Sequence, residues 1–238
     1  MTLGIAASGP RSGAAVLAAL AAVERTGTGS IGGFCSFAAL DGDGNVVRAE
    51  TQRGGSATLF VAGETTGVPP PAHIDCAPRA ALISSGPDRP VPLSQFLAAG
   101  PAGLVTGHRL PNGHGVDGQR YNEAVLAGLA SGSGPADAVR QVLNADPNGD
   151  VGLIALDRAG ALYAGNTVRV TQRADIAQAE LSLACGSRVA VLLNSIRPPA
   201  ALATLAAEVA LEVLGAAPKI LGSVTAQAGV RVVAADDD

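Results

Sequence analysis

Apolar positions along the chain fall into two kinds of run. Short runs bounded by turn residues read as strands, and longer runs with a repeat near 3.6 read as helices. Residues 2–7 form a first strand, broken by Ser8-Gly9-Pro10. A helix follows to about Arg25, with Ser12 as its cap and Val16, Leu17, Leu20 and Val23 on one face. Gly27 and Gly29 end it. Residues 33–40 and 45–52 then read as two strands around Asp41-Gly42-Asp43-Gly44, and residues 151–157 and 161–165 repeat the arrangement. Both copies carry Ala-Leu-Asp-x-x-Gly between apolar runs. Asp starts such a turn and Gly supplies the positive φ, so each copy is a β-hairpin signature.

The remaining pattern fills in around these hairpins. Residues 63–92 hold Gly67-Val68-Pro69-Pro70-Pro71, Ser84-Ser85-Gly86-Pro87 and Arg89-Pro90, and read as a long Pro-rich loop with one short strand at 81–83. A helical turn is predicted at 93–98 and a buried strand at 102–106. A polar loop, His108 to Arg120, follows that strand. Two helices are predicted at 121–130 and 135–143, the second with Pro135 at its first position. A third hairpin spans 178–184 and 188–194, a long helix runs from Pro198 to about Leu214, and final strands fall at 219–225 and 230–234 before an acidic tail. Hairpins alternating with helices predict one α+β domain over residues 1–238, with mainly antiparallel sheets and the Pro-rich loop as an insertion.

Composition narrows the partners. Of 238 residues, 47% are hydrophobic and 15% charged, so a core of Ala, Val, Leu and Ile is available. A net charge of −4 without any Lys/Arg run argues against nucleic acid. No apolar stretch reaches a membrane-spanning length of about 18–20 residues, and no basic leader precedes an apolar one. Cys35, Cys76 and Cys185 are too few and too scattered for a disulfide framework or a zinc site, which fits a reducing cytoplasm. Low charge permits a homo-oligomer.

Two apparent motifs fail on context. Gly27-Thr28-Gly29-Ser30-Ile31-Gly32 matches G-x-G-x-x-G, but a helix precedes it and a strand follows, the reverse of a dinucleotide site. Asp41-Gly42-Asp43-Gly44-Asn45 lacks the Gly and Glu a calcium loop needs at positions six and twelve, where Val46 and Gln52 stand. His73, His108 and His114 lack the spacing of a metal pair.

The stretch Gly149-Asp150-Val151-Gly152-Leu153-Ile154-Ala155-Leu156-Asp157-Arg158-Ala159-Gly160, ending at Asn166-Thr167, resembles a late strand pair of the plant-type asparaginase and isoaspartyl peptidase family. These are N-terminal-nucleophile (Ntn) hydrolases. The order of strand, helix, helix and hairpin from Val105 onwards is similar to theirs. The first hairpin, ending Glu50-Thr51-Gln52-Arg53-Gly54-Gly55, resembles their nucleophile-bearing hairpin. The resemblance implies a four-layer αββα sandwich and cofactor-free hydrolysis of a small amide or peptide-like substrate. The nucleophile would be an N-terminal Thr, Ser or Cys whose own amine serves as base.

Carried over by position, Thr106 and Gly107 fall on the family's Thr-Gly oxyanion contact, and Thr51 falls beside its nucleophile. Asp88 and Arg89 match its grip on charged substrate groups. Aligned without gaps, the family's Thr-Val-Gly falls on Phe34-Cys35-Ser36, where Phe34 cannot attack. Ser30-Ile31-Gly32 matches it in form, Cys35 is one position away, and loss of Met1 would expose Thr2 at the head of the first strand. The other reading is a non-catalytic scaffold of the same fold, binding a metabolite near Arg53, His108 and Arg109, the last two able to hold an anion. Arg109 could otherwise pair with Asp117.

Overall fold

Strand alternation sorts side chains into three apolar clusters, and these define the packing of the whole chain. The computed structural model describes residues 1–215. It is a mixed α+β protein with two antiparallel sheets. The first has six strands: β1 (Thr2–Ser8), β2 (Cys35–Leu40), β3 (Val46–Thr51), β4 (Arg79–Ser84), β9 (Ile176–Ser182) and β10 (Arg188–Asn194), in the order β3-β2-β4-β1-β10-β9. The second has four: β5 (Ala98–Gly100), β6 (Gly103–Arg109), β7 (Val151–Asp157) and β8 (Leu162–Asn166), in chain order. Six helices accompany them among the described residues: α1 (Ser12–Thr26), α2 (Ala72–Asp75), α3 (Tyr121–Ala130), α4 (Pro135–Ala145), α5 (Val168–Thr171) and α6 (Pro199–Gly215).

Leu3, Ile5, Phe37, Leu82, Val191 and Leu193 turn one face of the six-stranded sheet to Val16, Leu20 and Val23 of α1 and Leu202 and Ala206 of α6. Ala6, Ala38, Ile83 and Leu192 on its other face meet Leu104, Ile154 and Leu156 of the four-stranded sheet. Val105, Leu153 and Ala155 on that sheet's far side pack against Val125 and Leu129 of α3 and Val139 and Leu143 of α4. Each of these buried Leu, Ile and Val side chains contributes about 1.5–3 kcal/mol. The β2–β3 and β7–β8 hairpins lie in different sheets, yet Leu40 and Leu156 share the middle cluster, so the two ribbons meet across it.

The two sheets approach closely where β1 faces β6: a Cβ on Gly4 would stand 2.3 Å from the Gly107 carbonyl oxygen. Within the second sheet, one on Gly107 would stand 2.0 Å from the Gly152 carbonyl oxygen of β7. Only glycine admits this backbone-to-backbone approach.

Several expectations need correcting. The strand expected at 81–83 is β4, six residues long and set between β2 and β1. Ala, Leu and Ile buried on both faces leave no polar alternation to mark it. The predicted turn at 93–98 is a 3-10 turn at Leu93–Phe96 that runs into β5. The strand predicted at 102–106 extends to Arg109, so His108 and Arg109 belong to β6 and not to a loop. Ser12 does not cap α1. Arg11 holds the cap position at φ 62, and the Ser12 hydroxyl donates to the Gly9 and Pro78 carbonyls. The final strands and acidic tail expected beyond residue 218 lie outside the described residues.

Candidate functional site

Strand direction gathers polar residues at one end of both sheets. β1 begins at Thr2, β10 finishes at Asn194, and the register sets these two opposite each other. β9 begins at Ile176 opposite Asn194, which brings Asp175 beside Ser195. In the second sheet β6 finishes at Arg109 opposite Val151, where β7 begins, next to Asp150. The Arg109 backbone N–H donates to Thr2 Oγ1 at 2.8 Å and joins the two sheets there. Thr2, 3% exposed, donates its own hydroxyl proton to Asn194 Oδ1 at 2.7 Å.

Two residues flanking Thr2 hold left-handed backbone conformations, Arg109 at φ 66 and Ser195 at φ 58. Such conformations are costly for side chains with a Cβ and persist where surrounding contacts over-determine them. The charges here are ordered in pairs. Arg109 binds Asp150 through two bonds of 2.7 and 2.5 Å. Arg173 binds Asp175 through two of 2.8 Å, and Ser195 Oγ donates to the same carboxylate at 2.5 Å. Hydrogen bonds from Arg109 hold the Asp150 carboxyl below the usual range, and those from Arg173 do the same for Asp175. Arg89 is different. Its Nε donates to Ser85 Oγ at 3.0 Å, and its backbone N–H and carbonyl are tied to the Gln52 side chain at 2.9 and 2.6 Å. Its remaining guanidinium nitrogens have no acceptor among the described residues, and partial burial lowers its pKa.

The residues singled out from sequence lie at this same end, at different depths. Ser30 sits in the link between α1 and β2, its backbone N–H facing Met1 Sδ at 2.9 Å. Arg109 meets Thr2 through its backbone N–H, and Arg89, bonded to Ser85 just past β4, helps lower the pKa of the Met1 ammonium. Thr51 ends edge strand β3 and bonds the Arg53 carbonyl and Thr58 Oγ1, each at 2.9 Å. Arg53 and Asp88 form an exposed ion pair on the outer rim, 2.6 Å apart. Thr106 and Gly107 are buried beneath. Thr106 Oγ1 donates to the Leu82 carbonyl at 2.8 Å and ties the two sheets together, and Gly107 is closed in by Gly4 and Gly152. Arg109 pairs with Asp150, not Asp117.

His108, expected in an exposed loop, is fully buried between the sheets. Nε2 contacts Asn166 Oδ1 at 2.7 Å, while the buried Nδ1 has no hydrogen-bond partner among the described residues. Burial pushes its pKa down to about 4, so it is neutral at pH 7 and does not hold an anion. Cys35 is also fully buried in β2, and burial raises its thiol pKa. It packs as a small hydrophobe.

Asp150, Arg173, Asp175, Asn194 and Ser195 escape a reading of the sequence. Each lies near a strand end, and only Asp150 falls in a stretch that the sequence marks out. The one available signal was Thr2 at the head of a strand, which directs attention to whatever residue pairs with it.

A cleft of about 280 Å³, lined by Ala174, Asp175, Ser195, Ile196, Arg197 and Pro199, opens beside the cluster. A larger groove of about 420 Å³ runs along α3 and α4, and none of its lining residues belongs to the Thr2 cluster. Among the described residues, no group of three or more His, Cys, Asp or Glu is placed to hold a metal ion, and no helix is long and apolar enough to cross a membrane.

The fold is α+β, and family comparison places the chain. It matches, over residues 2–223, the family described as a domain of unknown function, DUF6963, and belongs to that family. No curated protein matches it.

Proposed function

We propose that this protein is an Ntn-type amidohydrolase acting on a small amide or peptide-like substrate, with Thr2 as nucleophile. The layering of helices, two sheets and helices is read as the αββα sandwich of that superfamily. The observation that carries the reading is the Thr2 hydroxyl. It stands at the head of a central strand, held by the Arg109 N–H and Asn194 between the two sheets.

Scission of the Met1–Thr2 bond would free the Thr2 α-amine beside its own hydroxyl. That amine takes the proton as Oγ1 attacks the substrate carbonyl, the acyl ester forms on Oγ1, and the leaving amine departs with a proton. Water then hydrolyses the ester. The surroundings favour an unprotonated amine. At Met1 the ammonium pKa is lowered by burial and by Arg89 and Arg109, against an opposing pull from Asp175. The free guanidinium nitrogens of Arg89 would serve the developing oxyanion or an anionic substrate group. The alternative, a non-catalytic metabolite-binding scaffold, keeps the Met1–Thr2 bond and binds an anion at Arg89 without turnover. Met1 Sδ seated against the Ser30 N–H supports it.

Intact-mass measurement of the purified protein, followed by treatment with a β-lactone acylating agent, separates the two. The amidohydrolase gives a chain beginning at Thr2 and an adduct mapped to Thr2, lost in Thr2→Ala. An intact Met1–Thr2 bond with no adduct would overturn it.

A further inference from the structure

We propose that Ser195 is a positioning residue that fixes the hydroxyl proton of Thr2 through Asn194, with Asp175 setting the direction of the chain. The inference rests on the reading of Thr2 as nucleophile and adds to it the device that orients the attacking group.

The polarity of each hydrogen bond follows from what its partners can do. The Arg109 backbone N–H can only donate, so Thr2 Oγ1 accepts from it at 2.8 Å and must send its own proton elsewhere. Asn194 Oδ1, at 2.7 Å, receives it. That choice turns the other half of the carboxamide, Nδ2, towards Ser195 Oγ at 3.1 Å, where it can only donate. Ser195 then has one proton left, and it goes to Asp175 Oδ2 at 2.5 Å. Asp175, held by two bonds from Arg173, is an acceptor only. Flipping the Asn194 amide would set Nδ2 against the Thr2 hydroxyl and oppose Oδ1 to a Ser195 oxygen whose proton Asp175 already claims. A single arrangement satisfies all four side chains.

The backbone supports the same purpose. Ser195 follows the last residue of β10 and holds φ 58, a conformation that glycine adopts without strain. A serine here carries a cost that its Oγ must offset. Asn194 is 1% exposed, and its carboxamide is held by Thr2 on one side and Ser195 on the other. Thr2 Oγ1 is thereby held in one place before substrate arrives, its proton resting on Asn194 until the freed α-amine takes it on attack, so the chain pre-organises the position of the nucleophilic oxygen.

Ser195→Gly is the discriminating variant, because it relieves the backbone while deleting Oγ. Three readings are taken on the full chain: hydrogen exchange of the Asn194 side-chain amide by NMR, the rate of Thr2 acylation by a β-lactone, and Tm. The expected result is at least tenfold faster exchange at Asn194 and about tenfold slower acylation, with Tm held or raised. Asp175→Asn, which lets the chain reverse, is expected to change exchange and acylation in the same direction. Wild-type exchange and acylation in Ser195→Gly would overturn the proposal, as would an Asn194 amide in the wild type that exchanges like a free one. A wild type whose Thr2 is never acylated, but whose Asn194 amide is protected until Ser195→Gly, would remove the amidohydrolase reading and leave the positioning chain standing.

Discussion

The two ends of the sheets are built from opposite materials. At the turn end, the aspartates that close the hairpins serve their own neighbourhood. Asp41 accepts from the Asp43 and Asn45 N–H groups, and Asp157 accepts from the Ala161 N–H, partners no more than four residues away. At the Thr2 end, partners come from everywhere: Thr2 and Asn194 are 192 residues apart, and Thr2 and Arg109 are 107. The turn end closes hairpins with residues that any hairpin could use. The Thr2 end holds buried threonine, asparagine and histidine together with two strained backbone positions. The difference teaches that polar groups gathered from distant segments into a buried place are the ones to examine for chemistry, because turn formation does not explain them.

The contrast can be tested from its strongest expected effect to its weakest. Gly107→Ala forces a Cβ to within 2.0 Å of the Gly152 carbonyl oxygen, against backbone that cannot swing aside. It should cost about 3 kcal/mol in urea unfolding. Gly42→Ala at the turn end meets nothing within 4 Å and should stay within about 0.5 kcal/mol of the parent. An equal loss at both positions would break the comparison.

His108 sharpens it through pH. Its pKa falls from 6.5 to about 4 in the fold, mainly through burial. As pH drops across that window the unfolded chain takes up a proton that the folded chain refuses. Stability from this group is complete above pH 6.5 and declines by roughly 3 kcal/mol as pH approaches 4. Urea unfolding at stepped pH should trace this slope, and His108→Gln should flatten it. A parent protein already flat between pH 6.5 and 4.5 would place His108 in water.

Thr106→Val removes one inter-sheet hydrogen bond and leaves the volume nearly unchanged. The expected loss is about 1 kcal/mol, read as a Tm drop of about 2–4 °C. Asp41→Ala, exposed in the first hairpin turn, should lower Tm by less than Thr106→Val, on the order of 1 °C. A larger fall for Asp41→Ala than for Thr106→Val would reverse the ranking of the two ends.

Legibility followed the same division. The three hairpins and the helices α1, α3, α4 and α6 were readable because their signals are local: Ala-Leu-Asp-x-x-Gly twice, Pro135 at a helix start, apolar positions at helical spacing. Strand β4 was only partly readable. Ala80, Ala81, Leu82 and Ile83 are buried on both faces, so alternation vanishes, and the flanking prolines make the segment resemble a loop. His108 looked like a loop residue because its neighbours are polar, but pairing with Gly152 carries β6 two residues further. Thr106, chosen by resemblance, is a buried tie between the sheets and Gly107 is packed against Gly4 and Gly152, while Arg109 meets Thr2 through its backbone N–H.

By itself, then, the amino-acid order determined which segments become strands and helices and where hairpins reverse, since these depend on propensity and on contacts a few residues long. Tertiary structure alone decided that Thr2 faces Asn194, that Arg109 reaches across from the other sheet, and that Asp175 lies within reach of Ser195. Such meetings depend on strand order and register, which are set when two sheets bury their apolar faces together, and no local pattern encodes that free energy.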